Sequence, residues 1–179
     1  YHISYSNIYY KSIITIENMH LIGEIAMSLD QALKKMTTGI YIVTSKQGAE
    51  INGMVASWIS QVSFFPPLIM VAIKQGRRSH LMIEKGKVFA VNILNKEQKE
   101  MLPLFKNKKF STTLFETKKT GAPIIKDVLA FLDCKLISKV TPGDHTLFIG
   151  EVLEGGVIKE GTPLSSNDLE NIYGGLDYH

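Results

Sequence analysis

Glu50 to Ser63 reads Glu-Ile-Asn-Gly-Met-Val-Ala-Ser-Trp-Ile-Ser-Gln-Val-Ser, and the rest of the chain is organised around it. Asn52-Gly53 is a pair at which the backbone readily takes positive φ. In an extended chain Val55, Ser57, Ile59 and Gln61 share one face, and Met54, Ala56, Trp58 and Ser60 the other. Pro66-Pro67 closes the stretch. A strand that starts with Gly, Ala and Ser leaves its N–H and C=O groups without bulky cover. That is what a planar polar ring needs if main-chain hydrogen bonds are to hold it. A plain hairpin strand with an Asn-Gly turn has the same pattern, and this stretch alone favours that plainer reading.

The chain has 179 residues, enough for one domain with a substantial core. Its composition is globular, with 45% hydrophobic and 21% charged residues. A net charge of +3 gives no reason to invoke nucleic acid. The one cysteine, Cys134, rules out an intrachain disulfide and a Cys-based zinc or iron–sulfur site. No apolar run approaches the roughly 20 residues of a membrane span. The first residues lack the basic-then-apolar pattern of a signal peptide. A soluble, cytoplasmic protein is the expectation.

Residues 1–26 stand apart: tyrosines and isoleucines alternate loosely, with high β propensity and nothing local to pair with. Ser28 and Gln31 have the spacing of a helix capping box, and Leu29, Leu33 and Met36 that of a short amphipathic helix. The functional domain is therefore expected over 27–179, with 1–26 as an extension. Strands are expected over 40–46, 51–63, 68–74, 88–94, 129–140 and 145–153. Helices are expected over 79–85, stopped by Gly86, and over 96–106, kinked or ended by Pro103. Residues 107–120 read as a basic, Thr-rich excursion with little core. Thr141-Pro-Gly-Asp144 has the chemistry of a turn. About six strands joined mostly by turns make a mainly β protein with short inserted helices, better suited to an antiparallel barrel than to a βαβ sheet.

Two segments carry candidate chemistry. Arg77-Arg-Ser-His80 precedes a helix, whose free N–H groups and positive dipole end, joined by a hydroxyl and guanidinium groups, would cradle a phosphate. A solvated basic turn with Ser79 as cap is the alternative. The absence of Gly-x-Gly-x-x-Gly and of a P-loop means that any nucleotide is bound in another way. In Gly143-Asp-His-Thr-Leu-Phe-Ile-Gly150, His145 suits a proton donor or an anion contact beside a reacting ring. A histidine satisfying backbone groups where a strand begins is the alternative, and strand alternation gives no reason to pair Asp144 with His145. The other histidines show no metal-ligand spacing, so no metal is expected.

In this order, Asn52-Gly-Met-Val-Ala-Ser57, Pro66-Pro67-Leu-Ile-Met-Val, Arg78-Ser-His80, Phe89-Ala-Val-Asn92 and Gly143-Asp-His-Thr-Leu-Phe-Ile-Gly-Glu-Val152 resemble the flavin reductase-like family, the FMN-binding split barrels. Flavoredoxin-type members are the most similar, and the likeness covers roughly residues 29–157. The resemblance implies a homodimer of six-stranded antiparallel split β-barrels with one FMN each near the interface. Carried over, it has Asn52, Gly53, Met54, Val55, Ala56, Ser57 and Trp58 lining the isoalloxazine. Lys74, Gln75, Arg78, Ser79 and His80 surround the ribityl phosphate, and His145 is the catalytic residue at the face where nicotinamide docks. Val55 stands where many members have Thr, and Trp58 where they have a small residue; its indole would stack on the ring or crowd it.

The function so implied is hydride transfer from NAD(P)H to FMN, with electrons passed to free flavin, a monooxygenase or an iron protein such as a rubredoxin. With no Cys-x-x-Cys in these residues, an iron-protein acceptor is expected on a separate chain. The rival readings are a non-catalytic flavin or haem binder on the same barrel and a pyridoxamine-phosphate-oxidase-like enzyme.

Overall fold

The structure, a computed structural model, describes residues 16–169. It divides into two units, one of residues up to Thr37 with those after Glu170, the other Thr38–Glu170. The described part of the first unit is helix α1, Ile16–Leu33. Ser28 lies inside α1 rather than capping it, and Met27, Leu29 and Met36 are exposed. The Ser-x-x-Gln spacing fails as a start signal because the residues before it continue the helix, so no amide there needs a cap. The strand propensity noted for 1–26 gives way to helix from Ile16 onward, and residues 1–15 lie outside the described residues.

The second unit is mainly β. Its strands are β1 Tyr41–Gln47, β2 Glu50–Ala56, β3 Ile59–Ser63, β4 Leu68–Lys74, β5 Val88–Ile93, β8 Ala130–Val140 and β9 His145–Val157, with a small hairpin of β6 Phe115–Thr117 and β7 Pro123–Ile125. The seven larger strands form one antiparallel sheet in the order β2-β1-β5-β8-β9-β4-β3. Val43, Ala56, Val71, Ile73, Phe89, Cys134 and Phe148 come from six of these strands and meet in one buried cluster, with Ile59 of β3 packed against it. The sheet therefore curls around this cluster, and its seam falls between β2 and β3; a second cluster of Ala90, Ala122, Ile124 and Phe131 lies under the small hairpin. This is the expected antiparallel split barrel, with one strand more than the six expected.

The extra strand comes from a break at Ser57-Trp58. Ile59 N–H bonds the Ser57 carbonyl at 3.1 Å, a tight three-residue turn. Alternation slips there: Ala56 and Ile59 both face the core, and Trp58 is thrown outward, 43% exposed. The Trp58 carbonyl still accepts from Ala72 N–H at 3.0 Å, which fixes the turn to β4.

Helix α2, Arg78–Gly86, contributes Ile83 to the core. Gly86 is its last residue rather than its stop. The left-handed position belongs to Lys87, at φ 61°. Gly86 is glycine for another reason: a β-carbon there would stand 1.8 Å from the Lys46 carbonyl oxygen. Residues 96–106 split into a 3-10 turn, Lys96–Met101, and α3, Leu102–Lys106. Pro103 opens α3 instead of ending a helix, because a first-turn residue has no use for an N–H.

The excursion over 107–120 is better anchored than its composition implies. Phe105 and Phe110 stack at 4.9 Å, and Phe115 meets both edge-on. Asp133 of β8, fully buried, accepts from Thr120 N–H at 2.7 Å and from the Thr120 hydroxyl. Buried Asn92 of β5 joins three strands, donating to the Ile42 carbonyl and accepting from Ile125 N–H at 2.8 Å. Finally, β9 runs past the expected end at Leu153 through Gly155-Gly156, which stay paired with Leu132 and Phe131.

Candidate functional site

β2 lies at an edge of the sheet, so half of its main-chain groups point away from β1. Its Asn52 is buried and donates from Nδ2 to the hydroxyl of Ser79 at 2.5 Å. Ser79 stands in the first turn of α2. The strand edge and the helix start, 27 positions apart, are therefore brought together. Ser45, opposite Asn52 in the β1–β2 register, is also buried, and its hydroxyl has no partner.

The residues along β2 divide by face. Asn52, Met54 and Ala56 look inward, Met54 and Ala56 into the core. Gly53 is on the other face, and its open side is filled: a β-carbon would stand 2.6 Å from the Phe105 ring of α3. The bare face expected at Gly53 is thus covered by Phe105, and what stays open to a ligand is the main-chain edge. Val55 and Ser57 are half-buried.

The first helical bond of α2 runs from Leu81 N–H to the Arg77 carbonyl. The amides of Arg78, Ser79 and His80 precede it and face the open end of the helix. Arg77 takes the cap position in an extended conformation, without a side-chain cap. Lys74 closes β4 just before this loop. Positive dipole end, amides, hydroxyl and basic side chains form a donor set that fits a phosphate. The Arg78 guanidinium is ion-paired with Glu50, which sequence reasoning missed because nothing local links the start of β2 to α2.

The side chains of two residues expected at the phosphate are engaged by the β8–β9 hairpin. His80 is 9% exposed, hydrogen-bonded through Nε2 to the Thr146 hydroxyl at 2.8 Å and set edge-on to Phe148. Its Nδ1 has no hydrogen-bond partner, with a Glu84 carboxylate oxygen at 3.9 Å. Gln75 donates from Nε2 to the Gly143 carbonyl at 3.2 Å and from its main-chain N–H to the Asp144 carbonyl at 3.0 Å.

His145 opens β9 opposite Lys74. Asp144 and His145 do pair, Nδ1 to Oδ1 at 2.7 Å, because Asp144 belongs to the turn and strand alternation does not govern it. A carboxylate only accepts, so Nδ1 carries the proton and Nε2 is left as acceptor in the neutral ring, or donor in the charged one. The hydrogen bond from His145, with help from the His145 and Lys74 charges, holds the Asp144 carboxyl below the usual carboxylate range. The Trp58 indole meets the imidazole in a tilted contact, ring centres 4.8 Å apart at 46°. Among the described residues no group of three His, Cys, Asp or Glu side chains could hold a metal.

The family model described as a flavin reductase-like domain matches residues 33–169. The chain belongs to the flavin reductase-like family. Among curated relatives of this flavin reductase-like chain, the high molecular weight rubredoxin of Moorella thermoacetica is 33% identical over 147 residues, 75% of this chain and 62% of that protein. A putative diflavin flavoprotein of Nostoc is 35% identical over 140 residues, 73% of this chain but 24% of that protein. The chain thus spans about a quarter of the length of the diflavin relatives. Among solved structures, the flavin reductase PheA2 aligns with a TM-score of 0.66 at 34% identity, covering 74% of this chain and 86% of that one. The antiparallel split barrel is the fold that the chain shares with this flavin reductase-like family.

Proposed function

We propose that this flavin reductase-like domain binds FMN along the edge of β2 and the start of α2, and reduces it with NAD(P)H. The observation that carries this reading is the Asn52–Ser79 hydrogen bond, which puts a main-chain edge and an anion-attracting helix start side by side. Bound FMN supplies the hydride acceptor and the store of electrons for a downstream acceptor. Each residue then has a defined task. The amides at the α2 start, the Ser79 hydroxyl, Lys74 and an Arg78 released from Glu50 hold the phosphate. The main-chain groups of Asn52 to Ser57 hold the polar rim of the ring. His145, fixed by Asp144, offers Nε2 at the face where the nicotinamide docks. Trp58 shields that face from water.

The electron acceptor is free flavin or a partner protein, a rubredoxin or a monooxygenase. Homology to a protein named for rubredoxin supports the iron-protein branch. The family resemblance supports a homodimer, and the exposed Phe64 and Phe65 at the β3–β4 turn would give it apolar surface to bury.

The deciding experiment is stopped-flow mixing of FMN-loaded protein with NADH and with NADPH. Loss of the flavin's visible absorption is expected with at least one donor. A flavin band that persists with both would leave a passive flavin binder, the reading that the Trp58 cover over His145 favours.

A further inference from the structure

The loop between β4 and α2 does more than lead into the phosphate cradle. It grips the turn that carries His145 at several points. Gln75 N–H bonds the Asp144 carbonyl at 3.0 Å, and the Gln75 side-chain amide bonds the Gly143 carbonyl at 3.2 Å. Two residues into α2, His80 Nε2 meets the Thr146 hydroxyl at 2.8 Å, which in turn meets the Thr141 hydroxyl at 2.9 Å. The β8–β9 turn, Thr141 to Asp144, is thus tied down from both ends by a segment remote in sequence. Asp144, the last residue of that turn, pairs with His145, whose ring in turn meets the Trp58 indole.

The geometry points to Gln75 as a positioning residue: it couples the loop that receives the phosphate to the orientation of His145, without itself contacting the ligand. This inference rests on the reading of the site given above. Its chemistry is plain. A backbone carbonyl held on each side of Cα144 fixes where the Asp144 carboxylate stands, and that carboxylate fixes the imidazole through Nδ1–H. Exposed hydrogen bonds of this kind are individually weak, so a side-chain amide and a main-chain N–H acting together hold what either alone would let move. Gln75 is exposed and lies outside the core, so its truncation leaves the barrel intact. His80 completes the brace from the buried side, where its ring packs on Phe148.

The test uses the full chain and Gln75→Ala, with Trp58, the one tryptophan, as an internal reporter. In flavin-free protein, the variant is expected to change the intensity or the maximum of tryptophan emission as the tilted contact with His145 loosens. In FMN-loaded protein, the rate constant of flavin reduction by NAD(P)H is expected to fall about fivefold, while FMN affinity stays within about twofold. In a His145→Ala background the same substitution should add nothing, because the residue it positions is gone. Unchanged emission would overturn the proposal, and so would an FMN affinity that falls in step with the rate, which would make Gln75 a direct ligand. Additive effects in the double variant would overturn it as well. The emission arm needs no flavin chemistry: a wild type that no nicotinamide reduces would count against the proposed function, and the emission change would still decide whether Gln75 holds the Trp58–His145 contact.

Discussion

Glu50 competes with the proposed ligand for Arg78. The ion pair between them is exposed on both sides, so its net worth is small, and a phosphate dianion bound at the helix start would displace it. Glu50→Gln is therefore expected to tighten FMN binding by about two- to fivefold in a fluorescence titration; weaker binding would mean that Glu50 itself helps to build the site. Cys134 is the opposite kind of residue, buried and outside the site. Burial, with the Asp133 charge adding to it, pushes its thiol from 9.0 up to about 12. A folded pKa that is raised leaves stability whole below the unfolded value and removes it as pH climbs toward the folded one. Between about pH 9 and 12 the domain should thus lose stability progressively as pH rises. Denaturant melts at pH 7.5 and 10 should show this loss in the wild type and not in Cys134→Ala, and the native thiol should resist a disulfide reagent.

At the scale of elements, α2 is fixed to β1 by the absence of a side chain. Gly86→Ala would force a β-carbon against the Lys46 carbonyl and should cost about 2 kcal/mol or more, with FMN affinity falling alongside because the α2 start moves with its end. Lys87→Gly, which relieves a left-handed lysine, should instead raise stability by a few tenths to about 1 kcal/mol. Thermal melts of the two variants moving in the same direction would contradict this division of labour. How much could be read beforehand follows from the same elements. The strands, the Thr141–Asp144 turn and α2 were legible because period, Pro/Gly punctuation and turn residues act locally. The role of Gly86 was not, since it depends on a carbonyl 40 residues away. The slip at Trp58 was hidden for a related reason: apolar and polar residues fit either register until β4 takes the Trp58 carbonyl. Likewise, the pairing of Glu50 with Arg78 and the turning of His80 and Gln75 toward the β8–β9 turn leave no mark in local sequence.

At the scale of the molecule, charge is unevenly placed. Residues 96–126 hold eight lysines against three glutamates, while the whole chain carries +3. This segment packs beside the proposed flavin edge, because Phe105 covers Gly53. An acidic acceptor protein such as a rubredoxin should accordingly be reduced more slowly as ionic strength rises, whereas reduction of the flavin by nicotinamide should change little. Equal salt dependence of both steps would argue against docking on this face. Everything above depends on one arrangement, the β2 edge and the α2 start gripping a single FMN between them. Equilibrium titration of flavin-free protein with FMN tests it most directly, in the wild type and in Arg78→Ala/Ser79→Ala. One FMN per chain in the wild type is the predicted result, with affinity lower in the double variant by about 1.5–3 kcal/mol for each charge-assisted hydrogen bond removed. Unchanged affinity in the double variant would place the phosphate elsewhere and contradict the account.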